Sequence, residues 1–287
     1  MIKVISFLAL LVVVILIGYF SASKVKTTDF AHLKNLTPNL GNGEYVFIAA
    51  GCSNCHQSLG STDELALAGG TAFNSTFGTI YAPNVSMSER DGIGKWTIVE
   101  FAKALKEGIS PEGDHYFPAF PYTSYSKITD QDLVDLWEFW RTLPIIDGES
   151  KKHELKWPFS VRRNIGLWKL LYFSKEPRVI EDFDRGQYLA EALLHCTECH
   201  TPRTFLGGLQ KKKWMQGGKN LVSKGFIPNI TTFELNWSPA EISEYLLTGF
   251  TPDYDSAGGQ MALVIDNTSR LTKRDRDAIA GYIYTIK

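Results

Sequence analysis

All four cysteines of the chain fall in two copies of one pattern: CSNCH, with Cys52, Cys55 and His56, and CTECH, with Cys196, Cys199 and His200. Cys-x-x-Cys-His is the spacing of c-type haem attachment. Two thiols add to the porphyrin vinyl groups, and the adjacent imidazole is thereby set under the iron as its proximal ligand. The two copies begin 144 residues apart, whereas paired zinc knuckles are separated by about 15–20 residues. A dithiol redox pair would leave the histidines unexplained. The residues therefore predict two covalently attached haem c groups with iron bound at His56 and His200.

The elements that must position these groups repeat with them. GEYVFIAAGCSNCH is followed, 143 residues on, by GQYLAEALLHCTECH, and each copy then has a double glycine, Gly69-Gly70 and Gly217-Gly218. APNV and IPNI come next, their prolines Pro83 and Pro228 lying 27 and 28 residues past the histidines. Thr97 with Glu100 and Ser238 with Glu241 predict two helices that start on capping boxes. Thr129 and Thr272 open two further helices whose apolar positions, Leu136, Phe139 and Trp140 against Ile279, Tyr282 and Ile283, match at helical spacing. Each copy thus reads as a small helical unit of about 105 residues, in keeping with a repeat architecture: a helix into CxxCH, an irregular stretch, a capped helix, a loop and a terminal helix.

These units resemble the cytochrome c fold over residues 40–147 and 181–287. The resemblance implies a mainly α protein with two tandem cytochrome c domains. It makes Pro83 and Pro228 acceptors of hydrogen bonds that orient the proximal histidines. It also implies a methionine sixth ligand in the loop before the last helix, and GGQMALVIDNTS supplies Met261. Met215 aligns with Leu67 and reads as packing. The equivalent loop of the first copy, HYFPAFPYTSY at 115–125, is too rich in proline and aromatic residues for a regular helix or central strand. It reads as folded around a porphyrin face, with Phe120 where Met261 stands. The sixth ligand of haem one is then His115 in that loop, with Met87 or an open position as alternatives. Bis-histidine ligation would put haem one below haem two in potential. His32, His153 and His195 read as solvated or capping.

Ahead of the repeat, the apolar run Val4–Phe20 is 17 residues long, interrupted only by Ser6 and Gly18. It reads as an uncleaved membrane anchor with its stalk, residues 1–28, in preference to a cleaved signal. Residues 148–180 are too apolar and aromatic for a flexible tether and read as a packed connector. Arg162 and Arg163 within it are expected to be solvated, with haem propionates as the alternative partners. With 44% apolar residues and a net charge of −1, the 287-residue chain has no basic field that would favour nucleic acid.

After the anchor, the chain is similar to the multi-haem cytochrome c subunits of membrane-associated alcohol and aldehyde dehydrogenases. CSNCH, APNV, GIGKW, YFPAFPYTSY, CTECHTPR and GGQM carry that likeness; two haem motifs in place of three, and Phe120, depart from it. The resemblance implies an electron carrier, not an enzyme, anchored by one span in a bacterial cell membrane with its haem domains on the periplasmic side. Its partners would be redox proteins: a dehydrogenase, an oxidase or a quinol-oxidising complex. A haem enzyme with an open site on haem one, such as a dihaem peroxidase or a thiosulfate-oxidising cytochrome, is the alternative.

Overall fold

A computed structural model describes residues 2–174, 185–220 and 225–287. The expected boundary between connector and second repeat, at 180 and 181, lies outside the described residues. The chain is mainly α. It begins with the apolar helix α1 (Ile2–Ala22), whose 21 residues rise about 30 Å, the thickness of a bilayer's hydrocarbon core. Its large apolar side chains from Val4 to Ile17 are all exposed.

Two similar series of elements follow. The first comprises α2 (Leu40–Ala49), α3 (Cys52–His56), the hairpin β1 (Ala72–Ser75) and β2 (Gly78–Tyr81), α4 (Ile98–Glu107), α5 (Tyr122–Tyr125) and α6 (Asp130–Trp140). A connector with β3 (Glu154–Leu155) and α7 (Asn164–Tyr172) leads to the second. There α8 (Arg185–Tyr188) precedes α9 (Cys196–His200), the short pair β4 (Gly218–Lys219) and β5 (Phe226–Ile227), α10 (Thr232–Leu235), α11 (Pro239–Thr248), α12 (Gln260–Ser269) and α13 (Lys273–Thr285). The stretch read as irregular in the first copy is thus partly an antiparallel hairpin, Ala72 opposite Tyr81, and the connector adds β3 as its third strand, Gly78 opposite Leu155. Alternation in four-residue strands is too short to register as a pattern.

In each series the entry helix crosses the terminal helix at a glycine. A Cβ on Gly43 would lie 2.1 Å from the Asp135 carbonyl oxygen, and one on Gly186 would lie 1.9 Å from that of Ala278. Only glycine lets the two backbones approach so closely. The second copy carries one more residue than the first between this glycine and its CxxCH. That residue is absorbed as a π-turn, Leu189–Leu193, running on from α8, the usual way a helix accommodates a single insertion. Both the glycine crossing and the cysteine turn are thereby kept in place. The capping boxes form at Thr97–Glu100 and Ser238–Glu241, and Thr129 and Thr272 cap α6 and α13.

The two series meet through a reciprocal contact. Tyr45 on α2 donates to Asp275 at the start of α13 at 2.6 Å and accepts from Thr272 N at 3.2 Å. At the matching positions Tyr188 on α8 donates to Asp132 at the start of α6 and accepts from Thr129 N at 3.4 Å. Each tyrosine completes the N-terminus of the other series' terminal helix, where free N–H groups need acceptors. The two contacts use matching positions in opposite directions.

Candidate haem-binding sites

Each CxxCH segment forms a single helical turn that starts from a left-handed residue, Gly51 at φ 62° and His195 at φ 44°. A histidine is strained there, by about 1 kcal/mol or more. What holds it is its ring, set edge-on to Tyr125 with centroids 5.7 Å apart. All four cysteines are free thiols. Burial pushes Cys55 up to about 11 and Cys196 up to about 12, and Cys52 and Cys199 also rise for the same reason. They are protonated thiols at neutral pH.

The imidazoles are oriented from behind. His56 Nδ1 donates to the Pro83 carbonyl at 3.0 Å and His200 Nδ1 donates to that of Pro228 at 2.9 Å. A carbonyl can only accept, so Nδ1 carries the proton and Nε2 keeps its lone pair for a metal. Burial lowers both histidines' affinity for a second proton, against a smaller opposing effect of the proline carbonyl. The double glycines brace the same backing. Gly69 N bonds the His56 carbonyl at 2.8 Å and Gly217 N that of His200 at 2.6 Å. Both glycines have φ near +70°, and a Cβ on either would meet the proline segment at 2.5 Å or less. In each Pro-Asn pair the asparagine side chain then accepts from the backbone two residues on, Asn84 from Ser86 and Asn229 from Thr231. A neutral imidazole with a free Nε2, beside two thiols on one turn, is the donor set that haem c requires. Among the described residues no cluster of three or more His, Cys, Asp and Glu could hold a bare metal ion.

The two cysteine turns converge on Tyr125. Its hydroxyl donates to the Ala50 carbonyl at 3.0 Å, two residues before Cys52, and its ring touches His195, one residue before Cys196. Glu198, inside the second motif, is nearly buried. It accepts from Thr123 and, at 3.3 Å, from Ser124 of α5, and pairs with Arg203 at 2.5 Å. Burial pushes its carboxyl up, but Arg203 and Thr123 more than offset that and hold it below the usual carboxylate range.

The candidates for the distal side are dispersed. Two loops have the same construction: Ile109 bridges His115, and Phe250 bridges Ser256. Tyr116 N bonds the Gly108 carbonyl, and Ala257 N that of Gly249. Phe120 and Met261 each follow five residues after the bridge. Met261 sits in the first turn of α12, not in a loop, because the chain turns helical directly after Gly259. It is half-buried against the core, as are Phe120 and Met87. Met215 is fully buried at the position of Leu67; their carbonyls accept from Ile230 N and Val85 N.

His115 is buried with its Nε2 3.2 Å from the Ser23 carbonyl, where α1 ends. Gly166 of α7 lies against both; a Cβ there would meet Ser23 at 2.6 Å and His115 Nε2 at 2.9 Å. The arginine pair is held by neighbouring groups, Arg162 half-buried and Arg163 exposed to solvent as expected. Arg163 donates to Ser23 Oγ at 2.9 Å and stacks 4.7 Å from the Phe20 ring, while Arg162 donates to the His115 carbonyl at 3.2 Å. Tyr19 donates to Asn164 at 2.8 Å, and Lys169 donates to the carbonyls of Glu107 and Gly108 that end α4. The connector, the end of α1 and the first of the two loops thus form one junction. Sequence reading missed it because its partners lie about 50 to 140 residues apart in the chain. Of the remaining histidines, His32 pairs with Asp130 at 2.7 Å and His153 accepts from Tyr81 N at 3.3 Å.

No family model matches the chain. A "diheme cytochrome c-type" protein of Cereibacter sphaeroides is 45% identical to it over 96% of this chain and 95% of that protein. The "fructose dehydrogenase cytochrome subunit" of Gluconobacter japonicus is 35% identical over 87% of this chain, and the "alcohol dehydrogenase (quinone), cytochrome c subunit" of Gluconobacter oxydans is 30% identical over 92%. The chain spans about half the length of these two dehydrogenase subunits, 53% and 56%.

Proposed function

The chain belongs to the dihaem c-type cytochromes, a family of electron-transfer proteins, and we propose that it relays electrons from a membrane-associated dehydrogenase, with a quinol-oxidising complex as the alternative donor, to a downstream respiratory acceptor such as an oxidase. In this reading its two series of helices are tandem cytochrome c domains on the periplasmic side of a bacterial membrane, and α1 is the single span that anchors them. Cys52 and Cys55 hold one haem covalently and Cys196 and Cys199 the other. His56 and His200 bind iron through Nε2, and Met261 supplies the sixth ligand of haem two. When bound, each haem supplies a one-electron couple, and the protein's part is to hold and tune it. Pro83 and Pro228 fix the tautomer and orientation of the imidazoles and make them better donors, while burial keeps them neutral. The reciprocal Tyr45–Asp275 and Tyr188–Asp132 contacts hold the two sites in constant relation.

The observation that carries this reading is the convergence of both CxxCH turns on Tyr125. Attachment sites that share one buried side chain place two redox groups close enough for a fixed internal relay. The kinship with fructose and alcohol dehydrogenase subunits supports a dehydrogenase as donor. The haem-enzyme alternative loses ground, since these relatives are electron-transfer subunits.

The test is gentle purification of the full chain from its own membranes, followed by identification of what travels with it. A dehydrogenase subunit whose substrate reduces both haems is the expected result. Co-purification with an oxidase or quinol-oxidising complex alone, with no dehydrogenase reducing the haems, would move the chain further along the respiratory sequence and overturn the donor assignment.

A further inference from the structure

We propose that haem one has no sixth ligand from the protein: its distal side is closed by the Phe120 ring and remains open to small neutral ligands such as carbon monoxide and nitric oxide. This rests on the haem reading of Cys52, Cys55 and His56 and extends it to what that site binds.

The matched distal loops supply the first step. Phe120 and Met261 occupy the same register past equivalent backbone bridges, Ile109–His115 and Phe250–Ser256. A thioether has a lone pair for iron and a phenyl ring has none. Phe120 is also held in place, its ring edge-on or tilted to Tyr116, Tyr122 and Tyr125 at centroid distances of 6.0, 6.3 and 5.8 Å. These tyrosines are no substitute. Burial keeps each phenol protonated far above neutral pH, and the Tyr125 hydroxyl is already donated to Ala50.

The two other donors are held in other packing. His115 has its Nε2 on the Ser23 carbonyl, its Nδ1 buried without a partner, and its own carbonyl on Arg162. Carrying it to iron would break the junction between anchor, connector and loop. Its register position corresponds to Ser256, not to Met261. Met87 lies four residues past Pro83, on the segment that backs His56 from the Nδ1 side, whereas iron binds at Nε2. At the same place in the second series, four residues past Pro228, Thr232 bonds through backbone and side chain to the carbonyls of Ile286 and Tyr284 at the end of the terminal helix. The position belongs to the proximal shell. In haem proteins the polarity and access of the distal pocket decide between ligand binding and electron transfer alone; here the pocket wall is aromatic.

The experiment uses the full-length protein in detergent. A pyridine haemochrome assay first counts haem c per chain. Fewer than two would overturn the haem reading itself and leave the ligand question moot by that separate route. With two present, the reduced protein is titrated with carbon monoxide and the oxidised protein examined by electron paramagnetic resonance. The expected result is one carbon monoxide per chain and one high-spin haem beside one low-spin haem. Phe120→Met should abolish carbon monoxide uptake and make both haems low-spin. His115→Ala and Met87→Ala should leave the stoichiometry at one. Two low-spin haems and no uptake in the unaltered protein would overturn the proposal, as would uptake that appears only in His115→Ala or Met87→Ala. These last two variants keep it testable if Phe120→Met does not fold.

Discussion

The two distal loops are built on one template and put to different uses. Residues 108–125 and 249–261 share a left-handed glycine at the end of the preceding helix, a proline three residues later (Pro111 and Pro252), and the same bridging bonds. The first loop is buried. His115, Phe117, Tyr122 and Tyr125 are each less than a tenth exposed, because α1 and α7 lie on one side of it and the second cysteine turn on the other. The second loop stands largely open, with Tyr254 91% exposed and Phe250 57%, and it carries the thioether. The difference teaches that a repeated loop acquires its role from what packs on it. The first loop packs against the end of α1, with His115 on the Ser23 carbonyl and Phe120 among three tyrosines.

Changing the donor in the second loop should have the largest effect. Met261→Ala is expected to remove the methionine charge-transfer band of haem two, to raise carbon monoxide uptake from one to two per chain, and to lower that haem's potential by roughly 0.1 V, within the span of about 0.8 V that axial ligands cover. Redox titration and optical spectra decide it; an unchanged spectrum would remove Met261 from the iron.

Gly166→Val attacks the floor of the first loop, since the new side chain would collide with Ser23 and His115. Overpacking of this kind costs about 1–3 kcal/mol. Amide hydrogen exchange in detergent should speed up in residues 108–125 and at the end of α1, and leave 249–261 as it was. Equal protection in the first loop before and after would show that α1 does not order it.

Acid should separate the loops more gently. Burial, with Lys169 nearby, holds His115 below the usual histidine pKa, so the unfolded chain binds more protons than the folded one once pH falls below about 6.5. Stability at this junction is then full above that pH and is lost as pH falls through the folded value. Lys169 and Arg163 act on the ring with positive charge and add to the loss; Asp114 opposes it. Exchange in the first loop should rise between about pH 7 and 5, and that of the second, with Ser256 at the matching place, should not follow it. Parallel behaviour in both loops would point away from His115.

The smallest effects concern the reciprocal interface. Tyr45→Phe and Tyr188→Phe each remove a hydroxyl that donates one bond and accepts another, and should each cost about 1–2 kcal/mol in denaturant unfolding. A large inequality between them would break the reading of matched contacts.

The chemistry was legible early because it is local. CxxCH, the Pro-Asn pairs, the capping boxes and the glycine pairs act within a few residues, and their duplication exposed them; Gly43 and Gly186 were visible as repeated letters, though their role at the helix crossings was not. The long apolar run likewise declares α1, since an uninterrupted apolar stretch of that length reads as a helix whatever packs on it. What packed against that helix was hidden. Arg162, Arg163, Gly166 and His115 come from two distant stretches with no periodic signature, and only the folded chain brings them to Ser23. The π-turn that realigns the second motif and the tyrosines that cross between the series are equally invisible in one dimension. Covalent spacing determines which groups can hold a haem. Which donors remain free to reach it is decided by competition for partners among residues far apart in sequence, and that competition exists only in the tertiary structure.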